Sequence, residues 1–164
     1  MAQKSNVLKQ SIKQKGYWNY NDLYIFCFDW LKDNGYHVAE SEYTEKLSEF
    51  GKEILITWEG AKKVSDYFKN TISVKWHILG MNDAEVEQEG IKVKTNKGEV
   101  KIVISADLVR DYEDKWEDKP IWKFLRGIYD KYIIRTTIDE YEDRLESDAQ
   151  EYVDQIKSFL LLKK

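Results

Sequence analysis

The sequence predicts an α+β fold: an antiparallel five- or six-stranded meander with an N-terminal helix and one or two C-terminal helices packed on it. Two patterns carry that expectation. From residue 67 to residue 112 apolar and polar residues alternate, with Ile72, Val74, Trp76 and Ile78 on one side and Thr71, Ser73, Lys75 and His77 on the other, as the period of a pleated strand requires. On either side of that stretch the apolar spacing changes to three and four, the mark of an amphipathic helix. The length supports one domain: 164 residues suffice to bury roughly two thirds of the unfolded surface.

Residues 4–15 carry Val7, Leu8 and Ile12 among Lys and Gln, which reads as a short amphipathic helix or an arm that orders on a partner. Residues 1–16 are therefore set apart as an arm and residues 17–164 taken as a single α+β domain. Asn21-Asp22 offers an N-cap for a helix from Leu23 to Lys32, and Asn34-Gly35 a stop. Leu23, Phe26, Cys27, Trp30 and Leu31 form its core stripe. Tyr24, Ile25 and Phe28 leave little polar face, so this helix is either buried on several sides or docks outside the domain.

Strands are expected at 36–45, an acidic edge, and at 53–58, where Ile54, Ile56 and Trp58 share a face. The longest runs from Tyr67 to Leu79 and ends at the turn-forming Gly80-Met81-Asn82-Asp83. Short strands at 84–89 and 91–95 follow, then a turn at Asn96-Lys97-Gly98 and a last strand to Tyr112 carrying Val100, Ile102, Ile104, Ala106 and Leu108. Asp118 and Pro120 open a helix, Asp as cap and Pro in the first turn, with Ile121, Trp122, Leu125, Ile128, Tyr129, Tyr132 and Ile133 as its apolar face. The β-branched run at 133–138 weakens helix propensity. Thr137 and Glu140 have capping-box spacing, so 119–161 is two helices or one kinked helix. The last carries Ile138, Tyr141, Leu145, Ala149, Tyr152, Ile156 and Leu160, with Phe159 beside them.

Charge and composition exclude several classes. With 26 Lys+Arg against 30 Asp+Glu, nothing global draws the chain to phosphate backbones, and no strong nucleic-acid signal is present. No stretch approaches the 18 or so apolar residues of a transmembrane segment. A lone cysteine, Cys27, and the lack of an apolar leader point to a cytoplasmic location. A chain with 14% aromatic content has the apolar surface a disordered one lacks.

No residue is assigned to catalysis, to a cofactor or to a metal. His37 and His77 have no cysteine or second histidine at a ligand spacing. A dyad of Cys27 with either histidine carries almost no signal, because a cysteine on an apolar helix is normally packing. Glu85, Glu87 and Glu89 on one strand face could hold a hard cation, but opposition to edge pairing is the commoner role. Phosphate-binding glycine loops, nucleophile elbows and zinc-helix motifs are absent.

The leading expectation is a non-enzymatic interaction, assembly or structural protein, acting through a protein partner or self-association. Its candidate interface is Tyr17, Trp18, Tyr24, Ile25, Phe28, Trp122, Tyr129, Tyr152 and Phe159, since exposed Trp and Tyr anchor interfaces. The order of elements is also similar, in architecture alone, to helix-grip ligand-binding domains. That resemblance implies an apolar small molecule held between the sheet and the last helix, in a cavity lined by Trp58, Trp76, Ile102 and Tyr152. Two further expectations are a carboxylate enzyme without a recognisable motif and a membrane-surface anchor through the 121–134 helix.

Overall fold

The computed structural model describes residues 2–113, 120–128 and 135–162. Five strands, β1 (Gln3–Trp18), β2 (His37–Ser48), β3 (Gly51–Lys63), β4 (Phe68–Gln88) and β5 (Ile91–Arg110), form one sheet in the order β1-β5-β4-β3-β2. Every neighbouring pair is antiparallel. Helix α1 (Tyr20–Asp33) follows β1, while α2 (Pro120–Ile128) and α3 (Arg135–Leu162) follow β5. The architecture is α+β, as expected.

The alternating residues sort by face. Ile54, Ile56 and Trp58 of β3, Ile72, Val74, Trp76 and Ile78 of β4, and Val100, Ile102, Ile104, Ala106 and Leu108 of β5 are all buried. Helices α1 and α3 cover that face: Leu23, Cys27 and Leu31 come down from α1, and Leu145, Ala149, Tyr152, Val153 and Ile156 from α3. Helix α3 seats on β1 and β5. Two side-chain hydrogen bonds tie it to β1: Ser5 Oγ donates to Glu142 Oε1 at 2.6 Å, and Gln10 Nε2 to Gln150 Oε1 at 2.6 Å. At 28 residues α3 runs about 42 Å at 1.5 Å per residue.

Several boundaries differ from expectation. Residues 4–15 are neither helix nor arm but part of β1, paired with β5 from Gln3↔Arg110 to Trp18↔Asn96. A bulge lies between Asn6 and Leu8; beyond it residues 8, 10 and 12 share the inward face, and because Gln10 is polar the buried Leu8 and Ile12 stand four apart and mimic a helical spacing. The cap of α1 is Asn19, whose side chain accepts from Asp22 N at 2.9 Å. Its end is as expected, with Gly35 at φ 88° and the Tyr36 N–H reaching back to the Leu31 carbonyl at 2.9 Å, a Schellman closure.

The turns expected at 80–83 and 96–98 do not end strands. They lie opposite one another, and β4 passes through a register shift between Leu79 and Asn82 before continuing to Gln88. The hairpin reverses instead at Glu89-Gly90, both at positive φ (53° and 81°), the mirror-image turn that suits strand twist. Glu89 therefore sits in the turn and not on the face of Glu85 and Glu87, which lie opposite Lys94 and Lys92. Pro120 opens α2 as expected. Asp118 and residues 129–134 lie outside the described residues, and α3 is already helical at Arg135, so Thr137 is not its cap.

Gly51 is held at φ +126°, and an added Cβ would stand 2.7 Å from the Met81 carbonyl oxygen. Gly51→Ala is expected to cost about 1–3 kcal/mol in a urea melt. Gly127→Ala, where nothing lies within 4 Å, should leave stability unchanged or raise it by up to about 1 kcal/mol.

Candidate functional site

Where α1 crosses the sheet, four aromatic rings close on one another. Tyr24 and Phe28 meet Trp58 edge-on, with centroids 4.9 and 5.7 Å away, and Trp58 meets Trp76 at 5.3 Å. Further along, Trp30 stacks on Tyr152 at 4.4 Å. The four residues expected to line a ligand cavity, Trp58, Trp76, Ile102 and Tyr152, are thus core residues. Side chains from α1 occupy the space beside them that the helix-grip analogy reserves for a ligand.

The polar ends of Tyr24, Trp58 and Tyr152 are anchored, whereas the buried Trp76 Nε1 has no hydrogen-bond partner among the described residues. Glu40, on the edge strand β2, accepts from Tyr24 Oη at 2.6 Å and from Trp58 Nε1 at 3.0 Å. One carboxylate therefore joins the edge strand, the first helix and the core. Burial first, and then the bond to Glu40, push the Tyr24 hydroxyl up to about 12. Burial also raises Tyr20, helped by Tyr43, and lifts Tyr36 to about 12, with Asn70 tempering the rise. Tyr152 donates to the Cys27 carbonyl at 2.9 Å, and burial holds its hydroxyl well above the ordinary phenol range.

That geometry bears on catalysis. Cys27 is fully buried, and burial pushes its thiol up despite a partly offsetting contact with Tyr152. It is a protonated packing group, not a nucleophile. His77 Nε2 lies 3.1 Å from Glu53 Oε1 on the outer face of the sheet, on the opposite side from Cys27. Among the described residues no three or more His, Cys, Asp or Glu side chains converge as metal ligands.

The expected interface residues scatter. Trp18 and Tyr152 are core residues, Trp18 donating its Nε1–H to the Gly98 carbonyl at 3.2 Å. Tyr24 and Phe28 are half-buried against Trp58, and Phe159 is half-buried, stacked on Phe26 with centroids 4.7 Å apart. Among the described residues of that set only Tyr17 and Ile25 are openly exposed. The Trp122 side chain and Tyr129 lie outside the described residues.

Three surfaces carry exposed apolar groups. The first is α2, where Ile121, Phe124, Leu125 and Ile128 are 61, 67, 39 and 37% exposed. Their spacing of three, four and seven puts them on one stripe, and Phe124 was not among the residues singled out. Periodicity reveals such a stripe but not whether it faces a core or solvent. The second is a groove of about 530 Å³ between α1 and α3, lined by Asp22, Ile25, Phe26, Asp29, Trp30, Asp33, Gln155 and Phe159. The third is a depression on the outer face that carries the exposed Phe50 and Leu79 and has mixed charges at its rim.

Comparison of the chain with protein-family models, with curated proteins and with solved structures finds no match. No helix among the described residues is long and apolar enough to cross a membrane.

Alkaline stability follows from the raised tyrosines. Unfolded tyrosine loses its proton near pH 10, whereas folded Tyr20, Tyr24, Tyr36 and Tyr152 keep theirs to higher pH. The folded chain then binds more protons than the unfolded one, so stability should be flat below about pH 10 and fall as pH rises toward about 12. Urea midpoints measured across that range check the sign. Tyr152→Phe, which removes the buried hydrogen bond to the Cys27 carbonyl, should lower stability by about 0.5–1.5 kcal/mol at neutral pH.

Proposed function

We propose that this chain is a non-enzymatic interaction and assembly protein that works through protein–protein contacts, its own copies included. The observation that carries the reading is the solvent-facing apolar stripe of α2, Ile121, Phe124, Leu125 and Ile128. A stripe at that spacing normally meets a core; here the core face of the sheet is already covered by α1 and α3. Contiguous exposed apolar surface on an otherwise polar chain is characteristic of a contact site. The filled interior around Trp58 and Trp76 supports the same reading over ligand storage, and the buried thiol of Cys27 suits a reducing, cytoplasmic setting.

The test compares the wild-type chain with Phe124→Asp by gel filtration with light scattering and by capture from lysate. Wild type is expected to self-associate or to retain a defined protein partner, and Phe124→Asp to lose that contact while keeping the wild-type melting temperature, because the side chain is exposed. A strict monomer that retains no protein differently from the variant would overturn the proposal.

A further inference from the structure

We infer that α2 docks into the α1–α3 groove of a second copy of this chain, so that two protomers exchange helices. The inference rests on the interaction reading above and names the partner. Each half of the contact is present and unfilled in one protomer. The apolar stripe of α2 is exposed, and the only charged residues between positions 120 and 128 are Lys123 and Arg126. The groove has an apolar floor at Ile25, Phe26 and Phe159, and its charged lining is Asp22, Asp29 and Asp33, with no base among the lining residues. Those three acids fall on one side of α1, seven and four residues apart, alternating with the exposed Ile25. An apolar helix bearing only positive charge thus faces an apolar slot rimmed only by negative charge. Lysine and arginine stems lie along apolar surface while their charged ends reach the rim.

Within one protomer the stripe of α2 is exposed and the groove is open, so α2 does not occupy its own groove. A second copy carries the same complementary groove, and reciprocal exchange about a twofold axis fills both with identical contacts. An anionic bilayer is the less favoured occupant for the stripe, because Asp22, Asp29 and Asp33 and the net charge of −4 oppose its approach.

Complementation in sedimentation velocity tests the exchange. Phe124→Asp spoils the helix but leaves the groove; Ile25→Asp spoils the groove but leaves the helix. Both side chains are exposed, and unchanged melting temperatures verify the fold. The wild type is expected to form a dimer, and each variant alone to dissociate roughly 10-fold or more easily. An equimolar mixture of the two should regain a heterodimer, since one intact helix then meets one intact groove. Raised salt should weaken the wild-type dimer, and Asp29→Lys/Asp33→Lys should weaken it at low salt.

Dimers that persist in both variants, or a mixture that associates no better than its parts, would overturn the exchange. A monomeric wild type that retains a different protein through Phe124 overturns this inference and leaves the interaction reading standing. A monomer that floats with anionic vesicles through Phe124, and retains no protein, overturns both.

Discussion

The pairing of β1 with β5 is the constraint on which the other placements depend. Residues at the start of the chain lie against residues about a hundred positions later, from Gln3↔Arg110 to Trp18↔Asn96. Bringing such distant segments together costs loop-closure entropy that grows only slowly with length, but it must be met before the contacts form. Once made, the pairing fixes much else. It removes β5 from the sheet edge, and it provides the strand to which Ser5 and Gln10 tie α3. It also sets the origin of α1, which begins two residues after Trp18 with Tyr20 N donating to Asn96 Oδ1 at 2.9 Å. A fold arranged this way has high contact order, which slows its formation relative to a helical bundle of equal stability.

What the sequence reveals follows from how strongly each element is marked. The buried faces of β3 and of the central parts of β4 and β5, the presence and end of α1 and the stripe of α3 all follow from simple periodicity, because burial repeats there at the period of the element. Strand β1 is hidden for a physical reason: an edge strand needs few apolar residues, and a polar Gln10 at the inward position between Leu8 and Ile12 leaves them at a spacing helices also use. The double-turn reading of the long hairpin fails because Gly80-Met81 and Gly98, each turn-like alone, face one another. There an added Cβ on Gly98 would sit 2.9 Å from Met81 Cα. Trp18 is misread as a surface anchor because its neighbours in sequence are polar, while its neighbours in space are not.

The same contrast governs the candidate surfaces. A helix such as α1 looks too apolar to sit on a sheet, yet it uses three sides: Leu23, Cys27 and Leu31 inward, Tyr24 and Phe28 onto Trp58, and Phe26 against Phe159. That division leaves Ile25 outside among acids. Glu40 shows how an exposed edge strand can still be bound to the interior, since its carboxylate accepts hydrogen bonds from both Tyr24 of α1 and Trp58. With the interior around Trp58 and Trp76 filled in this way, exposed apolar groups remain on α2, on α1 at Ile25 and on the sheet side at Phe50 and Leu79.

The long hairpin is uneven along its length. Up to Asn82 and Asn96 it is flanked by β3 on one side and β1 on the other; beyond them, residues 83–95 form a ribbon two strands wide. An isolated two-stranded ribbon is marginal in water, whereas the flanked part belongs to the common core. Strand β4 therefore joins a segment whose amides open only with the whole molecule to one whose amides open by local fraying. The bulge at Gly80-Met81 is the boundary between the two, so the stiffness of a single continuous strand changes at a glycine.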